Sequence, residues 1–168
     1  MNWTEYHEKL TENLKATSSN QQTRFAIEVC EKLLPDYDTF HKEFKWGDLN
    51  SMTNGLVLCK QNANGLDTNV KIIENQISEI VKNTPNTEDF GQVSGSLALN
   101  SAAAISEALS FILDNKTERI LDIGSLSYDS TYFKACENYP KLSESEIENH
   151  QDLQNEIKWQ LEKIKYVA

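Results

Sequence analysis

The chain has 168 residues, 39% of them hydrophobic and 25% charged, enough to bury one core without disulfide or metal staples. Six glycines and three prolines are too few for the tight turns of an all-β fold. With 26 acids against 16 bases, the net charge of −10 repels phosphate backbones and anionic lipids at long range, so neither a nucleic-acid partner nor a membrane surface is expected.

Helical periodicity recurs along the whole chain. Trp3, Tyr6, Leu10 and Leu14 form the stripe of a first helix, with Thr4 as its expected N-cap, and Ser18-Ser19-Asn20 breaks it. Phe25, Val29 and Leu33 mark a second helix. Pro35 fits the first turn of a third, where a missing N–H costs nothing, and Tyr37, Phe40, His41 and Phe44 give its stripe. Gly47 turns the chain, and Asp48 is placed to cap a fourth helix carrying Leu49, Met52, Leu56 and Cys59. Val70, Ile73, Ile77 and Ile80 mark a fifth, closed by Asn83-Thr84-Pro85. The segment from Ser94 to Leu113 is Ala-rich and apolar on nearly every face. It carries Asn100, Glu107 and several serines, so it reads as a buried central helix, with small side chains for close packing, rather than a membrane span. Gly91 and Gly95 before it read as punctuation. A seventh helix is expected over about Thr117 to Cys136. The last is expected to start at Ser143, whose Ser-x-x-Glu pattern is a capping box, and to bury Leu153, Ile157, Leu161 and Ile164. With no period-2 strand in view, the expected fold is all-α: one domain over residues 1–168, a bundle of about seven to eight helices around the Ala-rich helix.

Signatures of chemistry are scarce. His7, His41 and His150 are isolated, and no HExxH, paired CxxC, Glu-x-x-His, GxGxxG or GxxxxGK pattern occurs, so no metal, no cofactor and no catalytic residue is expected. Cys30, Cys59 and Cys136 are widely spaced, and the first two lie on apolar stripes. This pattern fits buried thiols in a reducing cytoplasm. The start, Met1-Asn2-Trp3-Thr4-Glu5, has neither the basic nor the apolar region of a secretory signal. Tyr37, His41, Trp46 and Asp48 are the scattered residues from which a small-molecule pocket would be built.

Charge is uneven. Residues 1–84 carry 9 bases and 12 acids, whereas residues 85–168 carry 7 and 14. Glu144, Glu146, Glu148 and Asp152 follow one another at the start of the last helix, where acids suit the helix dipole and also form a face for a basic partner. Trp159 and Tyr166, seven residues apart, fall opposite that helix's apolar stripe. Burial on two sides within the chain is the expected reason, and a contact with a protein partner or a second copy is the alternative.

The run from Phe25 to Tyr37, with Cys30-Glu31-Lys32 leading into Pro35-Asp36-Tyr37, is followed by Phe40 and by Trp46-Gly47-Asp48. It resembles the bacterial family named DUF416, a domain of unknown function. Pro85 with Asp89-Phe90, the Ala-rich helix with Ser106-Glu107, and Ile157-Lys158-Trp159-Gln160 extend the likeness over nearly the whole chain. The resemblance implies an all-α cytoplasmic bacterial protein and supplies no activity or catalytic residues. The chain stops soon after the Trp159 helix, without the longer tail expected of relatives. Two functions remain open: a non-enzymatic acidic interaction module that shields or neutralises a basic partner, or a small-molecule-binding or enzymatic helical bundle with a pocket near the third helix and the Trp46-Gly47-Asp48 turn.

Overall fold

In the computed structural model, which describes residues 1–166, five helices begin where a side chain takes free backbone N–H groups, whereas the fifth and sixth helices have no side-chain cap. The order is α1 (Trp3–Lys15), α2 (Ser19–Phe44), α3 (Leu49–Ala63), α4 (Val70–Lys82), α5 (Val93–Asp114), α6 (Thr117–Asn138), α7 (Glu144–Glu148) and α8 (Gln151–Tyr166). The chain is all-α, with no strand among the described residues. Ser18, Asp48, Asn69 and Ser143 each accept a backbone N–H from the first turn that follows. The cap of α1 is Asn2 and not Thr4. Its side chain accepts from the Glu5 N–H at 2.9 Å while Glu5 accepts from the Asn2 N–H, a reciprocal pair that Thr4 cannot make from inside the first turn.

Two boundaries differ from expectation, in opposite senses, and the described residues form eight helices, within the seven to eight expected. Pro35 starts no helix; α2 runs through it for 26 residues. The proline is exposed, whereas Phe25, Val29, Leu33, Tyr37 and Phe40 stay buried on the other face along the whole helix. An interior proline costs about 3 kcal/mol, and burying Tyr37 and Phe40 beyond it returns roughly that much or more. The last helix, by contrast, divides at Asn149-His150. The His150 ring stacks on Tyr139 at 4.2 Å and its Nδ1 accepts the Asp152 N–H, which turns the chain so that Ile147 and Leu153 can both be buried.

The Ala-rich α5 is the centre, packed against α2, α3, α4 and α6. By length and composition α5 is long and apolar enough to cross a membrane, but here Ala98, Ala102, Ala104, Ile105, Ala108 and Leu109 are buried against other helices. Gly95 is more than punctuation: a Cβ there would lie 2.2 Å from the Phe90 carbonyl oxygen, so only glycine lets the preceding loop fold onto the helix. On α4, Ile73 and Ile80 are buried, but Val70 is exposed.

Cys30 and Cys59 are fully buried free thiols. Burial pushes Cys59 up to about 12 and raises Cys30 and the Tyr6 phenol as well. A group with a higher pKa folded than unfolded supports the fold at low pH, and that support is lost as pH rises from its unfolded value through its folded one. Melting temperatures should therefore hold up to about pH 8 and fall between about pH 9 and 12. Lys32, shifted the other way, opposes this loss over part of the range but is one group against three.

Candidate functional site

The four residues proposed for a pocket do come together, where α2 hands over to α3. Lys45 and Gly47 take positive φ and reverse the chain, and a Cβ on Gly47 would lie 2.3 Å from the Tyr37 hydroxyl oxygen. The Tyr37 hydroxyl donates to the Asn83 carbonyl at 2.6 Å; burial pushes its pKa up, while the Asp48 backbone works the other way. His41 Nδ1 lies 2.9 Å from the Trp46 carbonyl oxygen, which can only accept, so that nitrogen carries the proton. Asp48 accepts from the Asn50 N–H and the Ser51 hydroxyl. Phe40, Phe44, Trp46 and Phe90 fill the remaining space, with ring centroids 4.9–6.0 Å apart. The Tyr37 hydroxyl, His41 Nδ1 and the Asp48 carboxylate are thus all engaged by the chain itself. Asp48→Ala should cost about 0.5–2 kcal/mol in chemical denaturation, and Asp48→Ser should recover most of it.

The acidic residues lie on one edge. Glu144, Glu146 and Glu148 are exposed on α7, and Asp152 is half-buried at the start of α8. Glu146 accepts from the Ser143 N–H and hydroxyl, which hold its carboxyl below the usual range. Next to them, Asn138 to Leu142 line a groove of about 360 Å³ in which Tyr139 and Leu142 are exposed.

Trp159 and Tyr166 part company. Two-sided burial fails for Tyr166, which is 79% exposed near the end of α8, beyond the helices that could cover it. Trp159 is half-buried, with the Lys32 ammonium 4.1 Å from its ring centroid and Lys163 at 5.9 Å.

Around Trp159 the structure assembles a polar centre that periodicity did not single out. Lys32 of α2 donates to Oε2 of Glu156, whose side chain is only 1% exposed. Oε1 of Glu156 accepts from the Ser127 hydroxyl at 2.6 Å and from Gln160 Nε2 at 2.8 Å. Gln160 also donates to the Gly124 carbonyl and accepts from the Tyr6 hydroxyl at 2.7 Å. The flanking positions on α2 are paired too, Glu28 with Lys163 and Asp36 with Lys134. Burial, then the Lys134 charge, pulls the Lys32 amine down to about 8, with Asp36 opposing. The touching Glu156 carboxylate also opposes, since it favours the charged amine. Lys32, Thr131, Asp152, Asn155, Glu156 and Trp159 line a groove of about 360 Å³ over this pair. A signal was present in the sequence: Glu156 and Gln160 stand three and seven residues after Leu153, on or beside the buried stripe.

Among the described residues, no cluster of His, Cys, Asp and Glu could hold a metal ion. No curated protein matches the chain. The fold is similar to a DUF416 family protein from Shewanella baltica OS155, known from a crystal structure at 1.91 Å resolution. The two share 24% identity over 93% of this chain and 82% of that one, with a TM-score of 0.78. The family model described as "Protein of unknown function (DUF416)" matches residues 9–168, and the chain belongs to the DUF416 family.

Proposed function

We propose that the protein is a non-enzymatic, cytoplasmic interaction module that docks a basic protein partner along the α6–α8 edge and shields its charge. The observation that carries this reading is the groove of Tyr139 and Leu142 beside the exposed carboxylates of α7. An apolar groove with one base, Lys141, in its lining and the carboxylates of α7 next along the chain suits a segment with an apolar anchor and lysines or arginines on the α7 side. The charges would set partner choice and association rate, and the slot would slow dissociation. The net charge of −10 acts in the same direction at long range. The alternative of a small-molecule pocket at Tyr37, His41, Trp46 and Asp48 has less support, because their hydrogen bonds serve the turn and the cap.

Affinity capture at low salt, comparing wild type with the Glu144→Lys/Glu148→Lys variant in the same cells, tests the reading. The expected result is a partner of basic isoelectric point, released as salt rises past about 0.15 M and absent from the variant. A neutral or acidic partner, a second copy of the chain as the sole partner, or equal capture by the variant would contradict it.

A further inference from the structure

We propose that Lys32 is a carbonyl-reactive amine, and that the groove beside Trp159 admits a small uncharged aldehyde or ketone to form a Schiff base with it. The inference does not rest on partner docking, since the groove lies at the seam of α2, α6 and α8.

The geometry has three parts. The Lys32 side chain is 39% exposed and lines the groove, with its nitrogen between the Glu156 carboxylate and the Trp159 ring. Glu156 is almost wholly buried, and Ser127 and Gln160 hold its Oε1, which leaves Oε2 aimed at the amine as a local proton acceptor. The Trp159 ring forms an apolar wall for the substrate's carbon chain, and Thr131 and Asn155 line the same groove with polar groups. Burying a carboxylate is costly, and a pair serving only to fasten two helices needs no open space over its nitrogen. Asp152 and Glu156 in the groove disfavour an anionic substrate, which selects a neutral carbonyl over a keto acid.

The step is balanced without a redox partner. The Lys32 ammonium passes a proton to Oε2 of Glu156, and the freed lone pair attacks the carbonyl carbon. The C–N bond forms while the C=O π electrons move to oxygen, which takes the proton back from Glu156 to give a carbinolamine. Glu156 then removes a second proton from nitrogen and delivers it to that hydroxyl. Water leaves, and the nitrogen lone pair closes the C=N bond. Ammonium and carbonyl have become iminium and water, and Glu156 ends as the carboxylate. Lowering the amine from 10.5 to about 8 raises its neutral fraction at pH 7 by roughly two orders of magnitude.

Reductive trapping tests this on the intact chain. The protein is incubated at pH 7 with limiting propanal and cyanoborohydride, and modified lysines are located by peptide mass spectrometry. Lys32 should be propylated about ten-fold faster than Lys158, although Lys158 is the more exposed at 74%. The Lys32 rate should climb with pH toward a midpoint near 8, set first by burial, then by Lys134 of α6, with Asp36 on its own helix opposing; Glu156 and Lys163 of α8 and Glu28 of α2 are the other charged groups around it. Labelling of Lys32 no faster than that of Lys158, as for an amine locked in a structural pair, would overturn the proposal. The ratio of Lys32 to Lys158 labelling should be lower with pyruvate than with acetone, a neutral ketone; equal ratios would overturn the neutral-carbonyl assignment.

Discussion

Lys32→Met is expected to destabilise the fold by about 1–3 kcal/mol, because it leaves Glu156 beside Ser127 and Gln160 with no opposite charge in contact, while water entering the groove offsets part of the loss. Removing the carboxylate as well should reverse most of that loss. In Lys32→Met/Glu156→Gln the amide oxygen still accepts from Ser127 and Gln160, and its NH₂ group faces the groove, where water can reach it. Urea denaturation of the wild type, the two single variants and the double variant closes the cycle. A double variant no more stable than Lys32→Met would mean that the charge pair is not the source of the loss.

Phe40→Ala should cost more, about 3–5 kcal/mol. The ring is fully buried, and its centroid lies 4.9 Å from Phe44, 6.0 Å from Trp46 and 5.0 Å from Phe90. Losing it opens a cavity under three aromatic rings and loosens the loop that carries Phe90 onto Gly95. Phe40→Leu keeps much of the volume and should cost about 1.5 kcal/mol or less. The same denaturation measurement separates the two. Because Phe40 lies beyond Pro35, a small effect of Phe40→Ala would also undercut the explanation of why α2 continues through the proline.

What the sequence revealed follows the range of the forces involved. Stripes and caps act within one or two turns, so Asp48 and Ser143 could be read as caps and the segment around Ala102 as the central helix. Pro35 could not be placed from local preference, because the burial that overrides it comes from helices distant in sequence. The break at Asn149-His150 depends on Tyr139, eleven residues before His150. Tyr37, His41, Trp46 and Asp48 lie within twelve residues of one another, but only coordinates show that hydrogen bonds of Tyr37, His41 and Asp48 serve the turn. Glu156 lies on or beside the buried stripe, but its place on the helix says nothing of what pairs with it. Its partner Lys32 is 124 residues away, a separation that no periodicity spans.

Amide hydrogen exchange of the chain, alone and with its co-purified partner, tests the proposed docking edge most directly. Slowed exchange should be confined to residues 138–152, which cover the Tyr139–Leu142 groove, α7 and the start of α8, with little change over residues 37–48. Protection over residues 37–48 with none over 138–152 would contradict it and return the binding site to the corner between α2 and α3.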